Sequence, residues 1–142
     1  MSAQDRLEFF DALVRTQIAV WNAADTAVTA ASGLALGSVT ALRVIDERGG
    51  TARVQDVAET VVITVGAASK VVDRLEREGC VRRVPHPDDR RSSRLEVTPD
   101  GARTLAVARA ALDGALEAAT AGVPAAHLEQ ARAVLARIRR GD

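Results

Sequence analysis

The chain has 142 residues, which is the length of one domain. Its 47% hydrophobic and 27% charged residues match an ordinary globular protein and exclude a disordered tail or a fibre. A single cysteine excludes an internal disulfide and a cysteine-based zinc cage, so we expect a chain of the reducing cytoplasm. No apolar run approaches the roughly 18 to 20 residues that span a bilayer, and we expect no membrane partner.

The charge of the chain is balanced overall but uneven along its length. Basic and acidic residues number 19 each, yet residues 70–94 carry a net charge of +3. Within that stretch, residues 81–94 contain Arg82, Arg83, Arg90, Arg91 and Arg94. Arginines of this kind suit phosphate and groove contacts with nucleic acid. The alternative is a strand edge that is charged to keep it in solvent.

Helices are predicted over the first half of the chain. Near its start the chain carries a mainly apolar seam whose members are three or four residues apart. This spacing predicts a long first helix that ends near Ser32-Gly33. The seam consists of Leu7, Phe10, Val14, Gln17, Trp21, Ala24 and Val28. A second helix is predicted over roughly 36–48. Two short helices follow, one over about 53–60 and one that Thr64 caps and that runs to Gly79. This pair is a helix-turn-helix candidate.

The pattern then changes to that of a β-hairpin. Residues 81–84 and 94–97 have strand character, and residues 85–89 have turn chemistry, so we expect a hairpin with a long basic tip. The run Thr98-Pro99-Asp100 combines a cap, a proline at the first helical position and an acid, which predicts a long helix. A last helix opens at Val123-Pro124. The fold class predicted is therefore mainly α with a small β-hairpin.

Four segments in this order and spacing resemble the MarR family of winged-helix regulators. They are Val54 to Glu59, Ser69 to Gly79, Pro87 to Arg91 and Val97 to Gly101. The resemblance extends over about residues 34–112 by motif and over the whole chain by element order. It implies a single domain, 1–142, in which a winged helix-turn-helix lobe, 33–98, is carried on a helical dimerisation region, 1–32 and 99–142.

The resemblance also implies the partners. These are a double-stranded, palindromic DNA operator and a second copy of the chain, with a small molecule, for example an aromatic acid, that releases a repressor from DNA. We expect no cofactor, no metal and no enzymatic activity, because neither His86 nor His127 lies beside a plausible nucleophile and no glycine-rich phosphate loop occurs. The alternative function is a helical protein–protein interaction module that does not bind DNA.

Residues for DNA contact follow from the helix and the hairpin. The second short helix would present residues to base edges in the major groove, namely Thr64, Val65, Gly66, Ser69 and Lys70. Arg74 would contact the DNA backbone or pair with Asp73 on the helix surface. In the hairpin, the resemblance implies that Arg91 enters the minor groove and is held by Asp89. Arg90 and Arg94 would flank it as phosphate contacts.

The sequence departs from the family pattern in three ways. Gly66 and Ala67 stand where Ser or Thr is common, so base readout is expected to depend on thymine-methyl contacts and on Lys70. Val62 stands where the turn often carries Gly, which predicts an extended backbone there. Ala35 stands where the family usually has a capping Ser or Thr before the second helix. We expect Ser32 or Gly33 to form the start of that helix instead.

Three further side chains have two interpretations each. Arg15 is a carboxylate clamp for an aromatic acid or an exposed helix arginine. Trp21 lines an effector pocket or lies on the dimer seam. Cys80 is a redox switch or a small apolar filler at the start of the hairpin.

Overall fold

A computed structural model describes residues 1–141, with the side chains of all of them except residues 89–91. The elements are α1 Ala3–Ser32, α2 Leu36–Glu47, α3 Val54–Val61, α4 Val65–Arg77, β1 Val81–His86, β2 Asp89–Val97, α5 Pro99–Ala119 and α6 Ala125–Arg140. Every predicted helix is present, and the hairpin follows α4 as expected. No single helix of this described part is long and apolar enough to cross a membrane, although α1 and α2 pass that test together as a pair bent by 75°.

Helix α1 begins and ends with caps that are visible in the sequence. Ser2 accepts a hydrogen bond from the Asp5 N–H at 3.1 Å, and the Asp5 carboxylate accepts one from the Ser2 N–H at 2.7 Å. At the other end Gly33 adopts the left-handed conformation, with φ of +76°. A residue without a Cβ adopts this conformation without steric cost, so the helix ends where the sequence predicts.

Helix α2 is capped by a residue from another helix. The Leu36 N–H donates a hydrogen bond to Oδ1 of Asp25 on α1 at 2.8 Å, while Ala35 provides no side-chain cap. The prediction that Ser32 or Gly33 would supply this start is wrong, since Ser32 Oγ accepts from the Leu34 N–H instead. The carboxylate of Asp25 also stabilises the positive end of the α2 dipole.

The turn between α3 and α4 differs from the prediction at one residue. Val62 is left-handed, with φ of +61° and ψ of +52°, so the expected extended backbone is wrong. Only residues 62–64 separate the two helices, and a left-handed residue after α3 lets the Val62 and Ile63 N–H groups bond to the Ala58 carbonyl. Thr64 then caps α4 as predicted, accepting from the Ala67 N–H at 3.1 Å.

The hairpin has a shorter turn than predicted. Pro85 and His86 belong to β1, and β2 begins at Asp89. The physical reason lies in the neighbours of each strand. The Leu95 N–H of β2 donates to the Ala52 carbonyl at 2.7 Å, so β2 has partners on both sides and β1 is an outer strand. A proline is tolerated in an outer strand because it need not donate to a further neighbour.

The buried core lies between α2, α3, α4, the hairpin and the adjoining parts of α1 and α5. Its largest fully buried side chains include Leu42, Ile45, Leu75 and Leu95. Of the apolar seam of α1, only Ala24 and Val28 are buried. Helix α6 contributes no buried residue. We call α2 to β2, residues 36–97, the closed lobe.

Helix α5 leaves the closed lobe at a tightly packed junction. Thr98 Oγ1 donates to the Gly79 carbonyl at 2.5 Å and accepts from the Gly101 N–H at 3.0 Å. A Cβ on Gly101 would lie 2.0 Å from the Cys80 carbonyl oxygen. The glycine therefore allows the start of α5 to pack directly on the backbone that precedes β1.

Candidate nucleic-acid interface

Helix α4 has one buried face and one exposed face. Ala68, Val72 and Leu75 are buried against the core. The exposed residues near its N-terminus include four of the five residues predicted for base contact, Thr64, Val65, Gly66 and Lys70, whereas Ser69 is half-buried. Arg74 is exposed one turn after Lys70. The helix thus presents its N-terminal half outward, which is the geometry that a major-groove helix needs.

Lys70 and Arg74 are two cations on the exposed face of α4. Among the side chains that the structure describes, none forms an ion pair with Lys70 or Arg74. The sequence left open that Arg74 pairs with Asp73, but Asp73 contacts Arg83 of the hairpin instead. Both cations therefore remain available for phosphates or base edges.

The hairpin is tied to α4 through one arginine. Nη1 of Arg83 on β1 lies 2.7 Å from Oδ1 of Asp73 and 3.2 Å from Oε1 of Glu76. The backbone N–H of Arg83 also donates to Oε2 of Glu76 at 3.2 Å. These contacts hold β1 beside the C-terminal half of α4 and join the helix to the hairpin. The sequence analysis did not predict this contact. The signal that could have indicated it is the pair of acids, Asp73 and Glu76, on a helix that directly precedes a basic strand.

A second contact anchors the hairpin from the side of α3. The guanidinium of Arg53 donates a hydrogen bond to Oγ of Ser92 on β2. The Arg53 N–H donates to Oδ2 of Asp56 at 2.8 Å, and Arg48 pairs with the same carboxylate at 3.4 Å. The start of α3 and the middle of β2 are therefore joined, and the hairpin is held at both strands.

Ion pairs also cross the hairpin itself. Nη2 of Arg82 lies 2.6 Å from Oε2 of Glu96, and Nη2 of Arg94 lies 3.7 Å from Oε1 of the same carboxylate. The hydrogen bond from Arg82 holds the pKa of the Glu96 carboxyl below its usual value. Arg94 is exposed, as a phosphate contact requires. The predicted roles of Asp89, Arg90 and Arg91 concern side chains that lie outside the described residues.

A largely apolar cavity of about 310 Å³ lies between α1, α2 and α5. Trp21, Leu36, Leu112 and Leu116 form much of its wall, and Arg43 of α2 adds a cation. Trp21 is thus placed at a cavity. Arg15 is exposed on α1 and is not among the lining residues. Sequence reasoning missed Arg43, because it lies in a helix whose pattern is dominated by core residues.

Cys80 is buried where β1 begins. Burial raises the pKa of its thiol, and the nearby Glu78 carboxylate raises it further. A thiol that stays protonated reacts slowly with oxidants, which favours the interpretation as an apolar filler. Within the described part of the chain, no group of three or more His, Cys, Asp or Glu is placed to hold a metal ion.

Comparisons with known proteins give a consistent result. Residues 32–92 match the sequence profile of the MarR family. The multiple antibiotic resistance protein MarR of Salmonella typhimurium is 34% identical over 47 residues. That alignment spans 33% of this chain and 33% of the length of that protein, so it concerns about a third of each.

Solved structures match over nearly the whole chain. A MarR-family transcriptional regulator from Rhodococcus sp. RHA1 is 28% identical with a TM-score of 0.85, over 97% of this chain and 95% of that one. CouR from Rhodococcus jostii RHA1, bound to p-coumaroyl-CoA, is 28% identical with a TM-score of 0.82, over 97% and 94% of the chains. The repressor CouR on a 23-mer DNA duplex matches at 26% identity and a TM-score of 0.83, over 90% and 89%. The likeness confirms the predicted winged-helix fold.

Proposed function

We propose that the chain, whose residues 32–92 match the MarR family profile, is a MarR-family transcriptional regulator that acts as a homodimeric repressor and binds a palindromic DNA operator in the cytoplasm. The observation that carries the proposal is the exposed N-terminal half of α4, where Lys70 and Arg74 have no ion-pair partner among the described side chains, beside a hairpin that Arg83 holds in place. A helix and a hairpin held together in this way can contact a groove and the adjacent phosphates at once.

The proposed contacts divide between the two elements. Thr64, Val65, Gly66, Ser69 and Lys70 face the major groove, and Arg74 faces its backbone. In the hairpin, Arg91 enters the minor groove with Asp89 holding its side chain, while Arg90 and Arg94 contact phosphates. CouR, a repressor of the same fold, is bound to a 23-mer DNA duplex in its structure, which supports double-stranded DNA as the partner.

Dimerisation is supported by the exposed apolar residues of the terminal helices. They include Leu7, Phe10 and Val14 of α1 and Leu128, Leu135 and Ile138 of α6. Exposed apolar surface of this extent favours a partner. A second copy would pair residues 1–32 and 99–142 and place two lobes, 33–98, on successive half-sites of a palindrome.

Effector binding is proposed for the cavity between α1, α2 and α5. Its apolar wall with one cation suits an aromatic molecule that carries an acidic group, with Trp21 against the ring and Arg43 near the anion. CouR, which holds p-coumaroyl-CoA, supports a ligand-responsive function. Arg15 is exposed and does not line this cavity, so the proposed contact with the anion of the ligand falls to Arg43 instead. A ligand preferring one spacing of the two lobes would shift the population away from the DNA-bound state.

The test begins with duplexes selected by the protein from a random library, followed by fluorescence anisotropy over a range of salt concentrations. If each lobe neutralises several phosphates, the logarithm of the affinity falls with the logarithm of salt by about 0.9 per phosphate. Absence of salt-sensitive duplex binding would contradict the proposal and favour the protein–protein interaction module.

Two variants separate the helix from the hairpin. Arg91→Ala should weaken binding to operator and unrelated duplexes alike, most on AT-rich flanks whose minor groove is narrow. Lys70→Ala should cost roughly 1 to 3 kcal/mol on the operator and less elsewhere, because it removes a donor near base edges. Arg103→Ala, which changes an exposed residue of α5, is the control and should bind DNA as the wild type does. If Arg91→Ala binds all duplexes normally, the hairpin is only a charged strand edge.

A further inference from the structure

The first turn of α4 lacks side chains that can hydrogen-bond to bases. Val65, Gly66 and Ala67 have no polar side-chain atom. The hydroxyl oxygen of Thr64 accepts the hydrogen bond from the Ala67 N–H at 3.1 Å, so capping fixes the position of this hydroxyl and leaves its hydrogen as the group that can still donate. Ser69, in the second turn, is half-buried. Lys70 is therefore the first exposed polar side chain along this helix that has no structural task among the described contacts.

Apolar surface is exposed at the same place. Val65 is 56% exposed and Val62, in the preceding turn, is 80% exposed. Val62 also holds a left-handed backbone, with φ of +61°. That conformation is unfavourable for a β-branched residue and indicates that the exposed valine has a task. The neighbouring charges, Lys70 and Arg74, are positive, which suits a polyanionic partner rather than a wholly apolar one.

Duplex DNA offers one apolar group in the major groove. Adenine, guanine and cytosine present donors and acceptors there, whereas thymine also presents its C5-methyl group. We propose that Val65, flanked by Val62, reads thymine in each operator half-site by contact with this methyl group, and that Lys70 supplies the adjacent polar contact. The inference rests on the proposed function, since it requires α4 to enter the major groove.

The proposal predicts a specific sensitivity to one methyl group. Uracil pairs with adenine as thymine does and presents the same hydrogen-bonding atoms, but it lacks the C5-methyl. A buried methylene-sized group contributes about fourfold to an equilibrium constant. Replacing the contacted thymine by deoxyuridine should therefore weaken binding about fourfold in one half-site and about 16-fold in both.

The experiment uses the full-length wild-type chain and the duplex that it selects from a random library. Affinity is measured at constant salt for the duplex with thymine and for duplexes with deoxyuridine at each thymine in turn. Deoxyuridine outside the half-sites is the DNA control and should leave affinity unchanged. One thymine per half-site should show the loss.

A protein variant distinguishes methyl contact from altered DNA flexibility. Val65→Ala should bind the thymine duplex more weakly and should no longer discriminate it from the deoxyuridine duplex. Val65 is exposed at the start of α4, so the fold should tolerate this change. Val107→Ala, an exposed valine on α5, is the matched control and should keep the wild-type ratio between the two duplexes.

The outcomes separate this inference from the function beneath it. Salt-sensitive binding with equal affinity for thymine and deoxyuridine duplexes overturns the inference and leaves the regulator proposal standing. A loss that persists unchanged in Val65→Ala also overturns it, because another residue then reads the methyl. Failure to bind any duplex overturns both.

Discussion

The closed lobe and the terminal helices bury their apolar residues to very different extents. In the lobe, Leu42, Ile45, Leu75 and Leu95 are fully buried, and every helix contributes to one core. Helix α6 has no buried residue, and α1 has none before Ala24. The lobe is complete within one chain, whereas the terminal helices expose an apolar face that a single chain does not cover.

The boundary between the two regions falls inside α1. At 1.5 Å per residue, a helix of 30 residues is about 45 Å long, which exceeds the diameter of a small domain. Its C-terminal part, with Ala24 and Val28, packs on the lobe, and Asp25 there caps α2. Its N-terminal part projects beyond. Substitutions in the lobe should therefore change folding, and substitutions in the projecting helices should change assembly.

The largest effect is expected where α5 leaves the lobe. Gly101→Ala would place a Cβ 2.0 Å from the Cys80 carbonyl oxygen, and backbone atoms cannot move away cheaply. We expect a loss of about 3 kcal/mol in the free energy of unfolding, measured by urea denaturation. Gly114→Ala is the matched control, because, apart from the adjacent residues and the nearby backbone of α5 itself, no described atom lies within 4 Å of its Cβ position. It should stabilise α5 by about 0.5 to 1 kcal/mol. Equal stability of the two variants would refute the tight junction.

The next effect concerns assembly rather than folding. Leu135→Asp places a charge on the exposed apolar face of α6, and we expect the dimer dissociation constant to rise about 100-fold. Sedimentation measures this change, and circular dichroism should show little loss of helix. Gln130→Asp adds the same charge on another face of α6 and should leave the dimer intact. If Leu135→Asp unfolds the chain without dissociating it first, the division between the two regions is wrong.

Within the lobe, a smaller effect is expected for the contact between helix and hairpin. Arg83→Ala removes the partner of Asp73 and Glu76, and the free energy of unfolding should fall by about 1 kcal/mol, since the pair is partly exposed. Duplex affinity should fall as well, because the hairpin loses its position. Arg103→Ala breaks the largely exposed pair with Asp100 and should change stability little. An Arg83→Ala protein with normal stability and affinity would show that the contact is not needed.

The smallest effect is expected at the strained turn. Val62→Gly should raise the free energy of unfolding by about 0.5 to 1 kcal/mol, because glycine adopts a positive φ without a Cβ clash. The same substitution one residue earlier, Val61→Gly, lies in helical backbone and also removes a side chain that packs against the core, so it should destabilise by about 1 kcal/mol or more. Thermal unfolding compares the two. A destabilised Val62→Gly would show that the valine side chain stabilises the turn.

Local signals predicted most of the elements and several of their caps. Gly33, Thr64 and Thr98 are caps that act within their own turn or on the next few residues, so their residue types suffice to predict them. The predicted hairpin turn is too long because the sequence pattern assigns Pro85 to the turn. Its place in β1 depends on Ala52, which makes β2 the inner strand, and no local pattern shows that pairing.

The amino-acid sequence by itself determined the order of helices and strands, the exposed N-terminal half of α4 and the basic character of the hairpin, because periodicity and charge are local properties. Only the tertiary structure decided that Asp25 caps α2, that Arg83 joins β1 to α4, and that Arg43 rather than Arg15 lies at the cavity. Each of these contacts joins side chains from different elements. Their partners are chosen by how the helices pack, which depends on shape and burial across the whole core.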